Sequence, residues 1–304
     1  MKTRTLSKRI ALLGVFLCLG AAVATPSSAA PHTPSHVYTT CSWPPGPTVK
    51  RVVHARVWNQ KGLTNPSRYA RGIDISMWNH GNSKDINFAY LKAHHRASFV
   101  IIKAGDPSRT GLRGAKKWYV HDRDLAKKAG LIVGAYYFGK PGFLNFDDVT
   151  KDAVAQAKLA LWLASGSTSS TGPALGELPL TLDFEEKPCG WTDKQLATWT
   201  ATFMKQVAKR SGRTPMIYTG GLFIDRLTNA SPSDQITLAK SPLWAASWNN
   251  KKGITLPEYP IWGTNWTFWQ FTSDGKLGKA NAGNRVDLDI FNGNPQQLAE
   301  LASK

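Results

Sequence analysis

The chain has 304 residues, which is enough for one large domain or two small ones. It carries 38 lysines and arginines against 20 aspartates and glutamates, a formal net charge of +18 at pH 7. Such a charge favours a polyanionic partner through long-range attraction. The basic residues are scattered, and no run of them alternates with aromatic residues as a nucleic-acid groove would require. We therefore expect no nucleic-acid partner, and an anionic cell wall is the better candidate.

The N-terminus has the three parts of a secretory signal peptide. A basic stretch within residues 1–9 precedes an apolar stretch, 10–23, that is too short to span a bilayer comfortably. Small residues before and at Ala30 provide a cleavage site, which predicts a signal peptide over 1–30 and a secreted protein. A retained membrane anchor is the alternative. Cleavage removes four basic residues, so the mature charge is 18 − 4 = +14, and no later run is apolar enough to be transmembrane.

The cysteines predict a disulfide bond in the mature chain. Cys18 would leave with the signal peptide, so Cys41 and Cys189 remain. An even number in an exported protein favours a bond between them, and two free buried thiols are the alternative. The bond would tie residues 31–69 to the main domain. This segment is rich in proline, threonine and basic residues, and we expect an N-terminal extension that either packs on the main domain or contacts the wall.

Strands and helices alternate in the main domain, residues 70–304. Strands are predicted at 72–77, 98–103, 131–138, 178–184, 214–218, 243–248, 267–271 and 286–291. Helices are predicted between the first five strands, at 86–96, 118–129, 147–165 and 192–210. Alternation implies parallel pairing. Eight strands favour a single α/β domain, a closed β/α barrel of the TIM type that is irregular in its second half. An open doubly wound sheet is the alternative.

The strand predicted at 178–184 is apolar until it ends in acidic residues. Asp183 and Glu185 are two residues apart, so they project from the same side of a strand. An unpaired buried charge is costly. Two carboxyls in different surroundings can act as a proton donor and an anion. The alternative is that the strand ends in solvent and that these are ordinary surface acids.

Other predicted strands also carry polar or aromatic residues near one end, and β/α barrels hold their working groups at the carboxyl ends of strands. These residues are Asp74, Lys103, Tyr136, Tyr137, Tyr218, Trp244, Trp248, Gln270, Asp287 and Asp289. Each alone could cap a turn, but together they predict a polar pocket. Trp262, Trp266 and Trp269 lie close by in the sequence. They either fill the core or line a groove where indole faces stack on sugar rings.

Patterns for other kinds of chemistry are missing from the sequence. No G-x-G-x-x-G follows the first strand, and there is no Walker loop. There is no H-E-x-x-H or other metal-ligand spacing, and no G-x-S-x-G to carry a serine nucleophile. We therefore predict no cofactor and no metal. Carboxyls combined with aromatic residues suit glycoside cleavage.

Eight short motifs resemble, in order and spacing, those of glycoside hydrolase family 25, the Chalaropsis-type lysozymes. They are Gly72-Ile73-Asp74-Ile75-Ser76, Ile101-Ile102-Lys103-Ala104, Gly134-Ala135-Tyr136-Tyr137-Phe138, Leu182-Asp183-Phe184-Glu185, Ile217-Tyr218-Thr219, Leu243-Trp244-Ala245, Trp269-Gln270-Phe271 and Val286-Asp287-Leu288. The resemblance covers about residues 70–295. It implies an irregular β/α barrel with a long groove. It also implies N-acetylmuramidase activity, the hydrolysis of β-1,4 bonds from N-acetylmuramic acid to N-acetylglucosamine in peptidoglycan.

The resemblance implies roles for individual residues. Glu185 would be the general acid that protonates the leaving oxygen, so its pKa must be raised by burial or by nearby negative charge. Asp183 would orient the substrate's 2-acetamido group or steady the developing positive charge. The family's other pocket carboxylates and its tyrosines are matched by Asp74, Asp287, Tyr136 and Tyr218. Further substrate contacts are expected from Lys103, Tyr137, Trp244, Trp248 and Gln270. The partners would be peptidoglycan glycan strands, with anionic wall polymers as a second class.

Three positions depart from the family pattern. Tyr137 stands where histidine is usual, and Lys103 is not followed by the usual acidic-glycine pair; both changes affect the expected sugar subsites. Asp289 stands where asparagine is common. All four pocket carboxylates are present, which predicts an active enzyme. Glu186 points to the opposite side of the strand from Glu185 and is expected to be structural.

Three rival functions stay open, of which the third, nucleic-acid binding, rests only on the net charge and predicts a steep salt dependence. A chitinase-like glycosidase would carry D-x-x-D-x-D-x-E on the fourth strand, but Leu180, Thr181 and Leu182 precede Asp183. A non-catalytic wall-binding barrel would keep the tryptophans and the positive charge without needing Glu185. If the protein is a muramidase, two mechanisms stay open: the sugar is attacked either by water or by the substrate's own acetamido group.

Overall fold

The computed structural model describes residues 39–40, 58, 65–81, 84–248, 256, 258–283 and 285–304. The predicted signal peptide, 1–30, lies outside these ranges, as do Cys41 and most of the predicted extension, 31–69. Those expectations therefore stay predictions.

Eight β-strands pair side by side in chain order and close into a barrel. They are β1 (Arg71–Ile75), β2 (Ala97–Gly105), β3 (Ile132–Phe138), β4 (Thr181–Asp183), β5 (Met216–Gly220), β6 (Leu243–Ala246), β7 (Phe268–Gly275) and β8 (Val286–Phe291). Each neighbouring pair from β1 to β7 is parallel. The predicted β/α barrel is therefore confirmed, and the open sheet is not formed.

The last strand runs against its neighbours. β8 is antiparallel to both β7 and β1, because residues 276–285 connect it to β7 without a crossover helix in the described part of that loop. The expectation of parallel pairing is wrong for this strand. One consequence concerns the site: the amino end of β8, not its carboxyl end, reaches the rim formed by the carboxyl ends of the other strands.

Helices cover the outside of the barrel. They are α1 (Phe88–His95), α2 (Arg109–Gly114), α3 (Val120–Lys128), α4 (Val149–Ala164), α5 (Asp193–Ser211), α6 (Gly221–Leu227), α7 (Pro232–Ala239) and α8 (Pro295–Ala302). A π-helical turn, Ala115–Tyr119, joins α2 to α3. α5 begins with a capping box at Thr192 and ends at Gly212 in the left-handed conformation, close to the predicted bounds of 192–210. Among the described residues, no helix is both long and apolar enough to cross a membrane.

Side chains inside the barrel change from apolar to polar along the strands. On β2, Phe99 and Ile101 are buried in the inner core, and Lys103 follows at the rim. β7 repeats the pattern with Phe268 and then Gln270. The inner core is crowded: a Cβ on Gly72 would lie 2.2 Å from the Phe99 ring. An apolar floor therefore closes one end of the barrel, and polar groups collect above it.

Candidate active site

A cavity of about 320 Å³ opens at the polar rim of the barrel. Its lining residues come from seven of the eight strands and the segments that follow them. They are Asp74, Tyr136, Asp183, Glu185, Tyr218, Trp244, Trp248, Gln270, Ser273 and Asp287. All four carboxylates expected at the site are among them, together with five of the seven expected binding residues. Residues that are far apart in the sequence thus meet at one place.

Asp183 and Glu185 contact each other at the end of β4. Phe184 between them points the other way, into the outer core against Phe223, and its N–H donates to the Tyr218 carbonyl at 2.9 Å. Burial raises the pKa of both carboxyls, and contact with Glu185 raises that of Asp183 further. Asp183 Oδ1 is enclosed, and no described donor reaches it. The two groups therefore share a proton and ionise in two steps as a pair.

Gln270 connects three side chains of the site. Its Oε1 accepts hydrogen bonds from the Tyr218 hydroxyl and from Trp248 Nε1, each at 2.9 Å. Its Nε2 donates to Asp74 Oδ2 at 2.7 Å. The amide can satisfy donors and an acceptor at once, which neither a carboxylate nor an apolar residue can do. Gln270 therefore fixes the orientation of the residues around it.

The rest of the site is also dominated by buried acids. Burial, and then the charges of Asp74 and Glu185, raise the pKa of Asp287 to about 9. Burial and the same group of carboxyls raise the pKa values of Tyr136 and Tyr218 well above their usual range. Both phenols therefore stay protonated and serve as hydrogen-bond donors at neutral pH. No group of three His, Cys, Asp or Glu residues in the described ranges is arranged to hold a metal ion.

Lys103 is beside the cavity but does not line it. Its Nζ forms an ion pair with Asp106 Oδ2 at 3.0 Å and lies 4.6 Å from the centre of the Phe138 ring. Its positive charge still reaches the acids, because it lowers the pKa values of Asp183 and Glu185 against the effect of burial. The structure thus places Lys103 as an electrostatic neighbour of the site.

Tyr137 is a correction to the predicted binding set. It follows the cavity-facing Tyr136 on β3, and adjacent strand residues point to opposite sides. Its ring is fully buried against Phe203, and its hydroxyl donates to Gln156 Oε1 at 3.2 Å. Tyr137 therefore packs in the helix layer, where a substrate does not reach it.

The tryptophans divide between core and cavity. Trp262 and Trp269 are buried, and their indole N–H groups donate to the carbonyls of Ser241 and Ser247, each at 2.9 Å. Trp244 is also buried but lines the cavity, whereas Trp248 is 45% exposed at its mouth. Trp262 and Trp269 therefore fill the core, and Trp248 is the tryptophan whose ring is accessible to a ligand at the cavity.

Ser273 is a cavity residue that strand alternation did not predict, and Asp289, which was expected in the pocket, lies beneath it. Ser273 lines the cavity although it is three residues after Gln270. The β7–β8 register shifts between Gln270 and Thr272 and again before Gly275, so simple alternation fails there. Asp289 does not line the cavity but lies fully buried beneath it, with its Oδ1 accepting from Trp244 Nε1 at 2.8 Å. Its spacing from Asp287, two residues as between Asp183 and Glu185, is the feature of the sequence that indicated it.

The closed barrel with paired acids and aromatic residues at its rim has the features of a barrel glycoside hydrolase. Residues 73–279 match the family described as glycosyl hydrolases family 25. The chain therefore belongs to glycoside hydrolase family 25, as its motifs indicated. Its relatives indicate that it is an enzyme of the glycoside hydrolase class.

Similar proteins span most of the chain. Lysozyme M1 from Streptomyces globisporus is 29% identical over 243 residues, which are 77% of this chain and 71% of that protein. The structure of a family 25 lysozyme from Aspergillus fumigatus is 29% identical with a TM-score of 0.58, covering 78% of this chain and 100% of that one. The lysozyme from Streptomyces coelicolor is 29% identical with a TM-score of 0.60, covering 77% and 97%.

The Gln270 connections predict the effect of removing the amide. Gln270→Leu leaves the Tyr218 hydroxyl and Asp74 Oδ2 without this partner, so we expect the free energy of unfolding to fall by about 1–3 kcal/mol. The pKa of Asp74 should rise further, because the donor that favours its anion is gone. Urea unfolding and carboxyl NMR titration measure the two effects.

Gln235→Leu is the matched control. Its Nε2 also donates twice, to the carbonyls of Thr228 and Ala230 near the surface, where water can replace it. Equal losses of stability in the two variants would contradict a special role for Gln270.

Proposed function

We propose that the protein is a secreted N-acetylmuramidase that hydrolyses the β-1,4 bond between N-acetylmuramic acid and N-acetylglucosamine in peptidoglycan. The observation that carries this proposal is the buried contact between Asp183 and Glu185 inside the cavity of a family 25 barrel. Lysozyme M1 and the N,O-diacetylmuramidase from Arthroderma benhamiae, 27% identical over 239 residues, support the substrate class by their names.

Glu185 is the general acid in this proposal. The group must keep a proton at neutral pH and give it to the oxygen of the leaving sugar as the bond breaks. Burial has the largest effect on the pKa of Glu185 and raises it; the hydrogen bond with Asp183 lowers it, and the negative charge of Glu186 raises it. After Glu185 has given up its proton, both carboxyls of the pair are ionised and repel each other, which favours the return of a proton from the water consumed in the hydrolysis. The pair therefore suits a proton donor that is recharged after each cycle.

Asp183 serves better as an orienting group than as a nucleophile. Nucleophile and acid in a standard retaining glycosidase lie about 5–5.5 Å apart on opposite faces of the sugar, and inverting pairs lie further apart. Asp183 and Glu185 are within hydrogen-bonding reach of each other, so they approach the sugar from one side. This favours attack by the substrate's own acetamido group, which Asp183 would hold by accepting its N–H.

Aromatic residues give the sugar a surface to bind. Trp248 exposes nearly half of its area at the mouth of the cavity, and its Nε1 is held by Gln270. A fixed indole face of this kind can stack on the apolar face of a sugar ring. The hydroxyls of Tyr136 and Tyr218 also line the cavity and remain protonated. Tyr136 can donate to a sugar oxygen, whereas Tyr218 donates to Gln270 and can accept from a sugar hydroxyl.

Glu185→Gln tests the proposal. We expect about 10²- to 10⁴-fold slower hydrolysis, because an amide cannot supply the proton. Purified peptidoglycan is incubated with the mature protein, the new sugar ends are reduced with borohydride, and mass spectrometry identifies them. Reduced muramic-acid ends from the wild type that vanish in Glu185→Gln are the expected result.

Glu300→Gln is the control, because Glu300 is exposed on α8 and does not line the cavity. It should retain activity within a few-fold. Reduced glucosamine ends would contradict the muramidase assignment and point to a glucosaminidase. If neither wild type nor variant releases new ends while both still bind the wall, the barrel is a wall-binding protein.

A strip of basic residues supports anionic wall polymers as a second class of partner. Arg109, Arg113, Lys116 and Lys117, the basic strip, are exposed on successive turns of α2 and the π-helical turn. None of the four forms an ion pair with a described residue, and no acidic residue interrupts the strip. α2 begins four residues after β2 ends, so the strip starts at the rim that bears the cavity.

Neutralising the basic strip should weaken attachment to walls. Each exposed ion pair between a strip residue and the wall contributes about 0.2–1 kcal/mol. When all four residues are changed to glutamine, we therefore expect binding to walls at low salt to weaken about fourfold or more. The difference should shrink at high salt. The control removes four exposed charges elsewhere, at Lys194, Lys209, Arg210 and Lys240. Equal losses in a cosedimentation assay with purified walls would assign the effect to net charge alone.

Contacts of Thr39 and Thr40 support the proposed Cys41–Cys189 disulfide of the secreted form. The Cys189 N–H donates to the Thr39 carbonyl at 3.1 Å, and Thr40 pairs with Pro188 as an antiparallel bridge. We expect unreduced digests of the exported protein to contain one linked peptide pair with both cysteines. Cys41→Ser should lower the free energy of unfolding by about 2–4 kcal/mol. Reduced wild type is the control, and a thiol-labelled Cys189 in unreduced protein would contradict the bond.

A further inference from the structure

Asp289 is an acid with one satisfied and one unsatisfied oxygen. Its side chain is fully buried on β8. Oδ1 accepts a hydrogen bond from Trp244 Nε1 at 2.8 Å. Oδ2 is enclosed, and no donor among the described residues reaches it. A buried carboxylate oxygen without a donor is costly, so this oxygen is expected to carry a proton instead.

The acceptor for such a proton is adjacent. β1 and β8 are antiparallel with Asp74 opposite Asp287 and Gly72 opposite Asp289, so Asp289 lies one layer deeper than Asp74. The carboxyls of Asp74 and Asp289 are within hydrogen-bonding reach. Two ionised carboxylates cannot hydrogen-bond to each other, so one proton lies between them.

The surroundings decide which acid keeps the proton. Asp74 lines the cavity and its Oδ2 accepts from Gln270 Nε2, so its anion faces a polar space and an amide donor. Asp289 is entirely enclosed: burial, and then the charge of Asp287, raise its pKa, and they outweigh its hydrogen bonds with Trp244 and with the side chain and backbone of Asp74, which lower it. The charged groups that face it are Asp74 from β1 and Asp287 on its own strand, both acidic. Its other contacts are the Trp244 indole from β6, the backbone of Asp74, and Trp58 at its backbone carbonyl, and all are neutral donors.

We propose that Asp289 is a positioning residue that stays protonated at neutral pH and donates a hydrogen bond from Oδ2 to the Asp74 carboxylate. Together with Gln270, it holds the anion of Asp74 between two donors, and it fixes the indole of Trp244 through Oδ1. Its effect on turnover rests on the proposed function, since the Asp74 charge raises the pKa of Asp183, which contacts Glu185. Its protonation does not.

The pH dependence of stability has a definite sign. An aspartate in an unfolded chain ionises near pH 3.9, and burial raises the pKa of Asp289 well above that in the folded protein. Above about pH 4, unfolding therefore releases the proton of Asp289, and stability falls as the pH rises. This contribution makes the unfolding equilibrium constant increase by up to about tenfold for each pH unit until the folded group ionises.

Asp289→Asn and Asp289→Leu separate the two functions of the side chain. Asparagine can accept from Trp244 and donate to Asp74 but cannot titrate, whereas leucine can do neither. We expect Asp289→Asn to keep kcat/KM on peptidoglycan within about threefold of wild type. The stability of this variant should depend less on pH, because its unfolding in urea releases one proton fewer than that of wild type. Asp289→Leu should lose at least tenfold in kcat/KM and should shift the fluorescence of Trp244.

Two results would overturn the proposal. An asparagine variant as damaged as the leucine variant would mean that Asp74 is the donor, because the amide would then present its N–H₂ group to Trp244. An unchanged pH dependence in Asp289→Asn would mean that Asp289 is ionised. If the variants do not fold, the ¹³C shift of Asp289 Cγ in aspartate-labelled wild type decides, with a neutral-acid value at pH 7 expected. Unfolding and NMR decide the protonation even if wild type cleaves no peptidoglycan.

Discussion

Repulsion between like charges is the constraint on which the cavity depends. Five acids lie in or directly beneath a space of about 320 Å³, namely Asp74, Asp183, Glu185, Asp287 and Asp289. Burial raises the pKa of every one of them. They cannot all ionise together, so protons are retained within the group. A glycosidase needs a proton donor at neutral pH, and this crowding of acids provides one.

The fold supplies neutral hydrogen-bond donors to these acids. Trp244 on β6 donates to Asp289, and Gln270 on β7 donates to Asp74. Both donors come from interior positions of neighbouring strands, directly above the apolar floor that includes Phe268. Neutral donors orient carboxyls without forcing them to ionise as a cation would. The barrel therefore concentrates unfavourable groups at one rim and is stabilised by the apolar layers elsewhere.

The sequence predicted most of the site because strand periodicity and the barrel rule act together. Once Asp183 and Glu185 were assigned to a strand end, the other strand ends had to meet them at the same rim, and nine of the eleven expected residues line the cavity. The prediction failed for Tyr137, where two adjacent tyrosines on β3 could not both face inward. It also missed four short helices, α2, α6, α7 and α8, which carry glycine or proline and have little periodic signal.

The direction of β8 was beyond sequence reasoning for a different reason. A D-x-D pair on the last strand would lie at the wrong end of a parallel strand, since Asp287 is its second residue. Only the reversal of β8 brings Asp287 opposite Asp74 at the rim. The connection from β7 determines that reversal, and its length and composition do not reveal whether a crossover helix is present. The acids that the sequence singled out do meet at the cavity, but the reversal of β8 that brings Asp287 there was not predicted.

Lys103 shows why the acids must be kept from the nearest cation. A lysine directly paired with Glu185 would favour its anion and remove the proton that catalysis needs. The Lys103 charge already lowers the pKa of Glu185. Asp106, three residues later, holds the ammonium at 3.0 Å and is itself fixed by the Ser108 N–H at 2.9 Å. Asp106 therefore limits how far Lys103 can neutralise the pair, and the balance between the two leaves Glu185 with a raised pKa.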